Sequence, residues 1–302
     1  FGSSLGSSPA GSQASRRRAA GKRLVAMAPV KFDDISKTAN EVLSDDYQTS
    51  GYQLKAKQKT SWDGAVLTSA VDLFPAKDAC MTPAKLTWKL PTPLGFKFLG
   101  VDKLEMDKGG KFKLEASTDK IYPALKVEAK TDLADLAKVS ASCTYTGLKD
   151  TFVKFETKPA KPQDFTCEVT RAAGIATFGT KFSLANITAP DVGVRVLSGP
   201  YFCSLLAKDK FSVFTGHCFY KASDVLKCAA TCDVGGKKSG QFTFGLAYDV
   251  VKGTKLKVKV QRDQSVSCSV KHEISKGFSL LAGARLETQK KDYTCGLQLS
   301  IE

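Results

Sequence analysis

Strict alternation of apolar and polar residues, from Gly51 to the C-terminus, is the feature that most constrains this chain. Leu256, Val258 and Val260 alternate with three lysines, and Tyr293, Cys295, Leu297, Leu299 and Ile301 share one phase of the last segment. Successive side chains of a β-strand point to opposite faces, so such runs predict strands with one apolar and one polar face. The chain is therefore predicted to be mostly β-sheet.

Short turn signals separate these runs about every 10 to 15 residues, as at Gly199-Pro200, Lys252-Gly253 and Lys276-Gly277. Turns at this spacing leave room for short connections only, which favours a meander of antiparallel hairpins over βαβ units. About 19 segments are predicted, and an odd number would make the first and last strands pair in parallel. They begin near Gly51, Gly64, Cys80, Leu94, Lys111, Ala124, Lys138, Thr151, Asp164, Ile175, Asp191, Tyr201, Phe211, Asp224, Gly240, Thr254, Ser265, Phe278 and Asp292.

The segment lengths fit a lipid bilayer. A strand of roughly 10 residues, rising about 3.3 Å per residue and tilted near 40°, covers about 25 Å, the height of the apolar band of outer-membrane barrels. No apolar run is long enough for a transmembrane helix, so a membrane role would require a barrel. A soluble β-sandwich also alternates. The number of strands and the lysine-rich second face favour an all-β fold, a transmembrane antiparallel β-barrel.

The polar face is basic. Five of the 45 basic residues lie in residues 1–26, and the remaining chain carries 40 basic against 30 acidic residues, a net charge of +10. If the apolar face meets lipid, the basic side chains line a water-filled lumen and favour anions weakly, moderated by Glu115 and Glu128. No single lysine is expected to be indispensable. The predicted pore-lining residues are Lys55, Lys57, Lys59, Lys111, Lys113, Lys126, Lys138, Lys255, Lys257, Lys259, Lys271 and Arg285, and Lys85, Lys89 and Lys130 share their phase.

The N-terminal part differs from the rest. Residues 1–26 are rich in Ser, Ala, Gly and Arg and are expected to be a leader or translated upstream sequence. Residues 27–50 are predicted to form a helix and a linker, because apolar residues recur there at three- and four-residue steps. Residues 51–302 form the predicted barrel domain.

Signatures of enzymes and metal sites are missing from the sequence. The nine cysteines have no regular spacing and suggest free thiols, and with only His217 and His272 a zinc site is not expected. The segment Gly235-Gly236-Lys237-Lys238-Ser239 lacks the spacing of a phosphate-binding loop. The chain is therefore predicted to have no catalytic activity, no cofactor and no metal.

Three segments resemble the eukaryotic mitochondrial porins, the voltage-dependent anion channels. They are Met27-Ala28-Pro29-Val30-Lys31-Phe32-Asp33-Asp34-Ile35, Leu54-Lys55-Ala56-Lys57-Gln58-Lys59-Thr60 and Val66-Leu67-Thr68-Ser69. The resemblance runs from Met27 to Glu302. It implies a helix inside the lumen, from Val30 to Leu43, that narrows the pore and gates it through Phe32, Ile35, Lys37 and Val42. It also implies a mitochondrial outer-membrane location, passage of ATP, ADP, phosphate and small metabolites, and closure under voltage. Thr294, Gly296, Leu299 and Ile301 resemble the sorting signal for mitochondrial barrel assembly.

The chain departs from that family at three places. The family's Gly-Leu-Lys triplet appears as Ala124-Leu125-Lys126, so no nucleotide site is assigned there. The glycine-rich hinge after the helix is reduced to Gly51, which puts the usual helix mobility in doubt. The membrane-facing glutamate of animal isoforms has no counterpart near residues 98–101, so partner binding that depends on it is not expected.

Other functions compete with a metabolite channel. A related outer-membrane protein translocase shares the barrel, but a basic wall would repel its cationic presequences. A non-transporting barrel that docks partner proteins is a further alternative. A soluble nucleic-acid-binding β-protein is disfavoured, because the aromatic residues share the apolar phase instead of forming a stacking surface. The expected partners are transiting nucleotides and small anions, the lipid bilayer and a second copy of the chain, with no nucleic acid.

Overall fold

The described residues of the computed structural model, 28–60, 64–74, 84–236 and 240–302, form a closed β-barrel with one N-terminal helical segment. Its 19 strands pair with their neighbours in chain order and antiparallel, except at the seam. There β1 and β19 pair in parallel, from Gly51 opposite Gly296 to Ala56 opposite Ile301. The predicted all-β barrel, its strand number and its parallel seam are confirmed.

The helical segment begins as a 3-10 helix, Phe32–Ser36, and continues as helix α1, Lys37–Leu43. Two single 3-10 turns lie at Pro93–Gly95 and Leu184–Asn186. The strands are β1 Gly51–Lys59, β2 Val66–Asp72, β3 Ala84–Leu90, β4 Gly100–Met106, β5 Phe112–Tyr122, β6 Leu125–Asp132, β7 Asp135–Tyr145, β8 Thr151–Lys158, β9 Lys161–Ala173, β10 Ala176–Ser183, β11 Asp191–Ser198, β12 Tyr201–Lys208, β13 Val213–Lys221, β14 Leu226–Val234, β15 Phe242–Val251, β16 Thr254–Gln261, β17 Ser265–Ser275, β18 Phe278–Glu287 and β19 Asp292–Ile301.

The predicted strand starts differ most from the structure where the chain has no tight turn. Strands β8, β11, β12 and β16 to β18 begin at the predicted residues, which follow short Gly, Pro or Asp turns, and β19 also begins at its predicted residue. Strand β4 begins at Gly100 and not near Leu94, because Pro93–Gly95 forms a 3-10 turn ahead of it. The predicted start of β3 at Cys80 lies outside the described residues.

The barrel wall has the burial pattern of a membrane protein. Large apolar side chains on one face of the strands are open to the surroundings, among them Phe178, Leu205 and Phe244. Polar side chains on the other face are buried, including Thr170, Thr177 and Ser267. A water-soluble β-protein buries its apolar face instead. The apolar face therefore meets lipid, and the polar face encloses the lumen.

The helical segment lies inside the lumen, as predicted. It packs against seven consecutive strands, β9 to β15. Its 12 residues span only about 20 Å, whereas seven strands cover an arc of about 29 Å. A short rod reaches so many strands most readily from the concave side of a curved wall. No helix among the described residues is long and apolar enough to cross a membrane.

Candidate pore and its docked helix

The strand register brings the predicted basic residues to the face that carries the helix. Gly245, which contacts Leu43 of the helix, is directly opposite Lys259. At the seam, Lys55 is opposite Ser300. Ser300 points to the same face as Gln298 and Gly296, and Gly296 contacts the linker after the helix, so Lys55 also lies on the lumen face. Alternation then places Lys57 and Lys59 on the same face. Lys111 lies in the turn before β5, where its backbone N–H donates to Asp107.

Six of the twelve predicted pore-lining residues pair with carboxylates of the barrel, and Lys257 and Lys271 pair with Asp46 of the linker. Lys126 lies 2.8 Å from Glu128 and 3.4 Å from Asp102. Carboxylates also pair with Lys57 (Glu302, 2.9 Å), Lys113 (Asp107, 3.8 Å), Lys138 (Asp135, 3.1 Å), Lys255 (Asp249, 3.9 Å) and Arg285 (Glu287, 3.1 Å). Among the described residues, no carboxylate lies within 4.0 Å of the ammonium groups of Lys55, Lys59 or Lys259. The wall is thus a mixed lattice of charges.

The apolar side of the helical segment is seated on the barrel wall. Phe32 and Ile35 are 1% and 0% exposed and form one cluster with Leu206 of β12. Val42, with Ala39 and Leu43, forms a second cluster against Phe202 of β12 and Ala229 of β14. Lys37 lies on the opposite side and is exposed. The segment therefore presents its apolar face to the wall and its charged face to the lumen, as an amphipathic helix does at a sheet surface.

Glycines on the lumen face allow this close approach. A β-carbon at Gly193 would lie 2.7 Å from both Cδ1 of Ile35 and Cδ2 of Leu206, and one at Gly179 would lie 2.7 Å from the same Ile35 atom. Gly193 and Gly179 are directly opposite each other on β11 and β10. A side chain at either position would force Ile35 to shift, so this glycine pair forms the seat of the helix.

Lysines of the wall hold the C-terminal end of the helix. Lys257 Nζ donates to the backbone oxygens of Glu41 (2.7 Å) and Asp45 (3.0 Å), and Lys259 Nζ donates to that of Leu43 (3.1 Å). The last carbonyls of a helix have no partners within the helix and carry partial negative charge. Two residues predicted to line the pore therefore cap the helix from the wall, and the side chain of Lys257 is only 9% exposed.

Asp46 links the linker after the helix to the same strands. Its carboxylate lies 3.0 Å from Lys271 Nζ and 3.5 Å from Lys257 Nζ. Partial burial would raise the pKa of Asp46, but the hydrogen bonds and charges of Lys271 and Lys257 outweigh it and hold the pKa below its ordinary value of 3.8. Tyr47 adds a ring beneath Lys259 Nζ, 4.3 Å from the ring centre.

The beginning of the helical segment is anchored to β9, β10 and β11. The Thr170 hydroxyl donates to the backbone oxygen of Val30, and Arg195 donates to that of Ala28 at 3.1 Å. Lys181 Nζ lies 3.5 Å from a carboxylate oxygen of Asp33. Both ends of the segment are therefore attached to the wall by side chains of the barrel.

Sequence reasoning missed several residues of this site. Gly179, Gly193 and Gly245 lie on the polar faces of their strands. Repeated glycines on that face were the available sequence signal that a helix packs closely there. Arg195 and Lys181 also follow the polar phase of their strands. Nothing in the sequence indicated which basic residues would reach the helix, because those contacts join residues separated by more than 140 positions.

The residues of the predicted sorting signal lie in β19. Thr294 and Gly296 are on the lumen face, while Leu299 and Ile301 are on the lipid face. A β-carbon at Gly296 would lie 2.7 Å from the backbone nitrogen of Ser50 and 2.8 Å from the backbone oxygen of Gln48. The glycine therefore has a packing role in the folded barrel, and sorting remains a prediction for these four residues.

The family model described as eukaryotic porin matches residues 28–296. Comparison with curated proteins gives no significant match. Among solved structures, a five-substitution mutant of Rh. blastica porin has a TM-score of 0.44 at 8% identity, covering 66% of this chain and 91% of that one. A triple mutant of Rhodopseudomonas blastica porin has a TM-score of 0.43 at 9% identity, covering 66% and 90%. These scores are too low to carry function between chains. On the family match over residues 28–296, this chain belongs to the eukaryotic porin family, the voltage-dependent anion channels.

Proposed function

We propose that this pore-forming barrel is a voltage-gated, weakly anion-selective channel of the mitochondrial outer membrane that passes ATP, ADP, phosphate and small metabolites. The observation that supports it most directly is the lumen itself, in which an acidic helical segment is docked on a basic wall. Residues 28–50 carry five acidic and two basic side chains. The chain outside them is correspondingly more basic, so a permeating anion meets a wall of opposite sign.

The lumen is wide enough for hydrated solutes, because barrels of 16 to 18 strands already leave an aqueous channel. The ion pairs on the wall reduce the field, so a weak preference for anions is expected and not a tight binding site. Lys55 and Lys59 contribute most per side chain, since neither has a carboxylate partner among the described residues. Lys257 and Lys271 contribute less because Asp46 and the helix carbonyls occupy them.

Ion selectivity in planar bilayers tests this function. In a salt gradient, the reversal potential of the wild-type protein is expected to report anion preference. The triple variant Lys55→Glu, Lys57→Glu, Lys59→Glu should shift it toward cations, and the corresponding Gln variant should shift it less. Lys57 pairs with Glu302, so Lys57→Glu would bring two carboxylates together. The Gln variant avoids this repulsion and therefore keeps the test valid if the Glu variant does not fold.

A matched triple reversal at Lys276, Lys290 and Lys291, in turns outside the strands, is the control. Bulk salt screens such charges, since the Debye length is about 10 Å at 0.1 M. Its shift in reversal potential is expected to be smaller than that of the β1 variant. Equal shifts, or no shift in either variant, would refute the assignment of the β1 lysines to selectivity.

A further inference from the structure

The two thiols of Cys203 and Cys218 meet across neighbouring strands. These residues are direct partners in β12 and β13, and their sulfur atoms are 3.8 Å apart. Lys221 N–H donates to the oxygen of Pro200, which makes Tyr201 and Tyr220 a non-hydrogen-bonded pair. Pair types alternate along an antiparallel ladder, so Cys203 and Cys218 are non-hydrogen-bonded as well. In such pairs the Cα atoms are about 4.5 Å apart, within the range that a disulfide spans.

The pair lies on the lipid-facing side of the barrel, near one rim. Phe202 and Ser204 point to the lumen and are buried, so Cys203 points outward, and both cysteines are exposed. Two positions along the ladder, at the rim that begins β12 and ends β13, the rings of Tyr201 and Tyr220 stack with centroids 4.8 Å apart. Tyrosines of outer-membrane barrels mark the boundary between lipid and water. The thiols are therefore directly below that boundary, open to solutes from either phase.

We propose that Cys203 and Cys218 form a dithiol site that hydroperoxides oxidise reversibly to a disulfide. One sulfur takes an oxygen atom from the hydroperoxide, whose O–O bond breaks and which leaves as an alcohol or as water, and a sulfenic acid remains. The second sulfur then attacks the first, the S–S bond forms, the S–O bond breaks, and the departing hydroxide takes up a proton to give water. In total, two thiols and one hydroperoxide yield one disulfide, one alcohol or water, and one water.

Other cysteines on the same surface serve as internal controls. All eight cysteines of the described residues follow the outward phase of their strands, so lipid exposure alone does not distinguish this pair. Cys228 and Cys232 are four residues apart on β14, about 13 Å at strand rise, beyond the distance a disulfide can bridge. Cys143 on β7 and Cys167 on β9 are both opposite Phe155, so the whole of β8 lies between them.

Mass spectrometry of the full chain in liposomes tests the site. The protein is exposed to hydrogen peroxide in the aqueous phase or to a phospholipid hydroperoxide in the bilayer, free thiols are alkylated, and the protein is digested with trypsin without reduction. Cleavage after Arg195, Lys208, Lys210 and Lys221 places the two cysteines in separate peptides, 196–208 and 211–221. With at least one oxidant these peptides are expected to be linked, with two thiols lost per chain, and dithiothreitol is expected to restore both.

Single substitutions decide the assignment. Cys203→Ser and Cys218→Ser should each abolish the linked peptide and leave a sulfenic acid that dimedone traps on the remaining cysteine. Cys232→Ser should leave the linkage unchanged. Oxidation of other thiols without a link between 203 and 218, or links between chains in its place, would overturn the proposal. The comparison of the two oxidants identifies the phase from which the hydroperoxide arrives.

Discussion

Single residues of the lumen face have more specific roles than their shared charge or small size suggests. Lys257 and Lys255 are two positions apart on β16 and point to the same face. Lys257 caps two carbonyls of the helix end, whereas Lys255 pairs only with Asp249 and is half exposed. The position of each lysine relative to the helix therefore decides whether its ammonium group anchors the segment or contributes positive charge to the lumen.

Replacing Lys257 with Met is expected to loosen the helix end. The change removes two charged hydrogen bonds, each worth roughly 1.5–3 kcal/mol, and leaves the carbonyls of Glu41 and Asp45 without the ammonium. A spin label at Lys37 should report greater mobility of the segment. Lys255→Met is the matched control, since among the described residues its side chain forms no hydrogen bond or ion pair with the helix. Equal mobility in the two variants would contradict the capping role.

The glycine seat gives a second prediction at this scale. Gly193→Ala places a methyl group against Ile35 and Leu206 and should weaken docking of the segment by about 1–3 kcal/mol, the usual cost of overpacking. Gly216→Ala is the control, because no atom lies within 4 Å of a β-carbon there. Protease sensitivity of the segment in the folded barrel measures the difference. Similar sensitivity of both variants would show that the seat tolerates a side chain.

At the scale of elements, the helical segment is held by apolar contacts along its length and by charged contacts at its ends. The apolar clusters do not change with pH, but the contact of Asp46 with Lys271 and Lys257 does. The helix itself has only seven residues in α1, too few to be stable alone. Its structure therefore depends on the wall.

Acid is expected to release the end of the segment. The pKa of Asp46 is depressed in the folded state, so its contribution to stability is present above the ordinary value of 3.8 and is lost as the pH falls through the folded-state pKa. The same label at Lys37 should become more mobile as the pH falls below 3.8. Asp46→Asn should show the looser state at neutral pH and a weaker acid response. A full acid response in that variant would assign the transition to another carboxylate.

At the scale of the whole molecule, the charges of the channel belong to two parts, the docked segment with its linker and the barrel wall. The segment and linker carry a net charge of −3, from five acidic and two basic side chains. One elementary charge that crosses 100 mV contributes about 2.3 kcal/mol. A displacement of the segment through part of the membrane field is therefore enough to make closure depend on voltage.

Two substitutions of opposite sign test whether the segment carries gating charge. Glu41→Gln changes the net charge of the segment from −3 to −2, and Lys37→Gln changes it from −3 to −4. Both side chains are exposed in the docked state. The slope of conductance against voltage should become shallower in the first variant and steeper in the second. If the wall alone moves, the two slopes will be equal to that of the wild-type protein.

The sequence by itself determined the strands, their approximate number, the polar and apolar faces and the helical segment, and it predicted a parallel seam only on condition that the number of strands is odd. These follow from local periodicity, because alternation assigns each side chain to a face and an odd number of strands decides how the ends pair. Only the tertiary structure decided that Lys257 and Lys259 cap the helix, that Gly179 and Gly193 seat it, and that Cys203 meets Cys218. Those contacts depend on strand register and on where the segment lies in the lumen, and residues far apart in the chain carry no local signal of either.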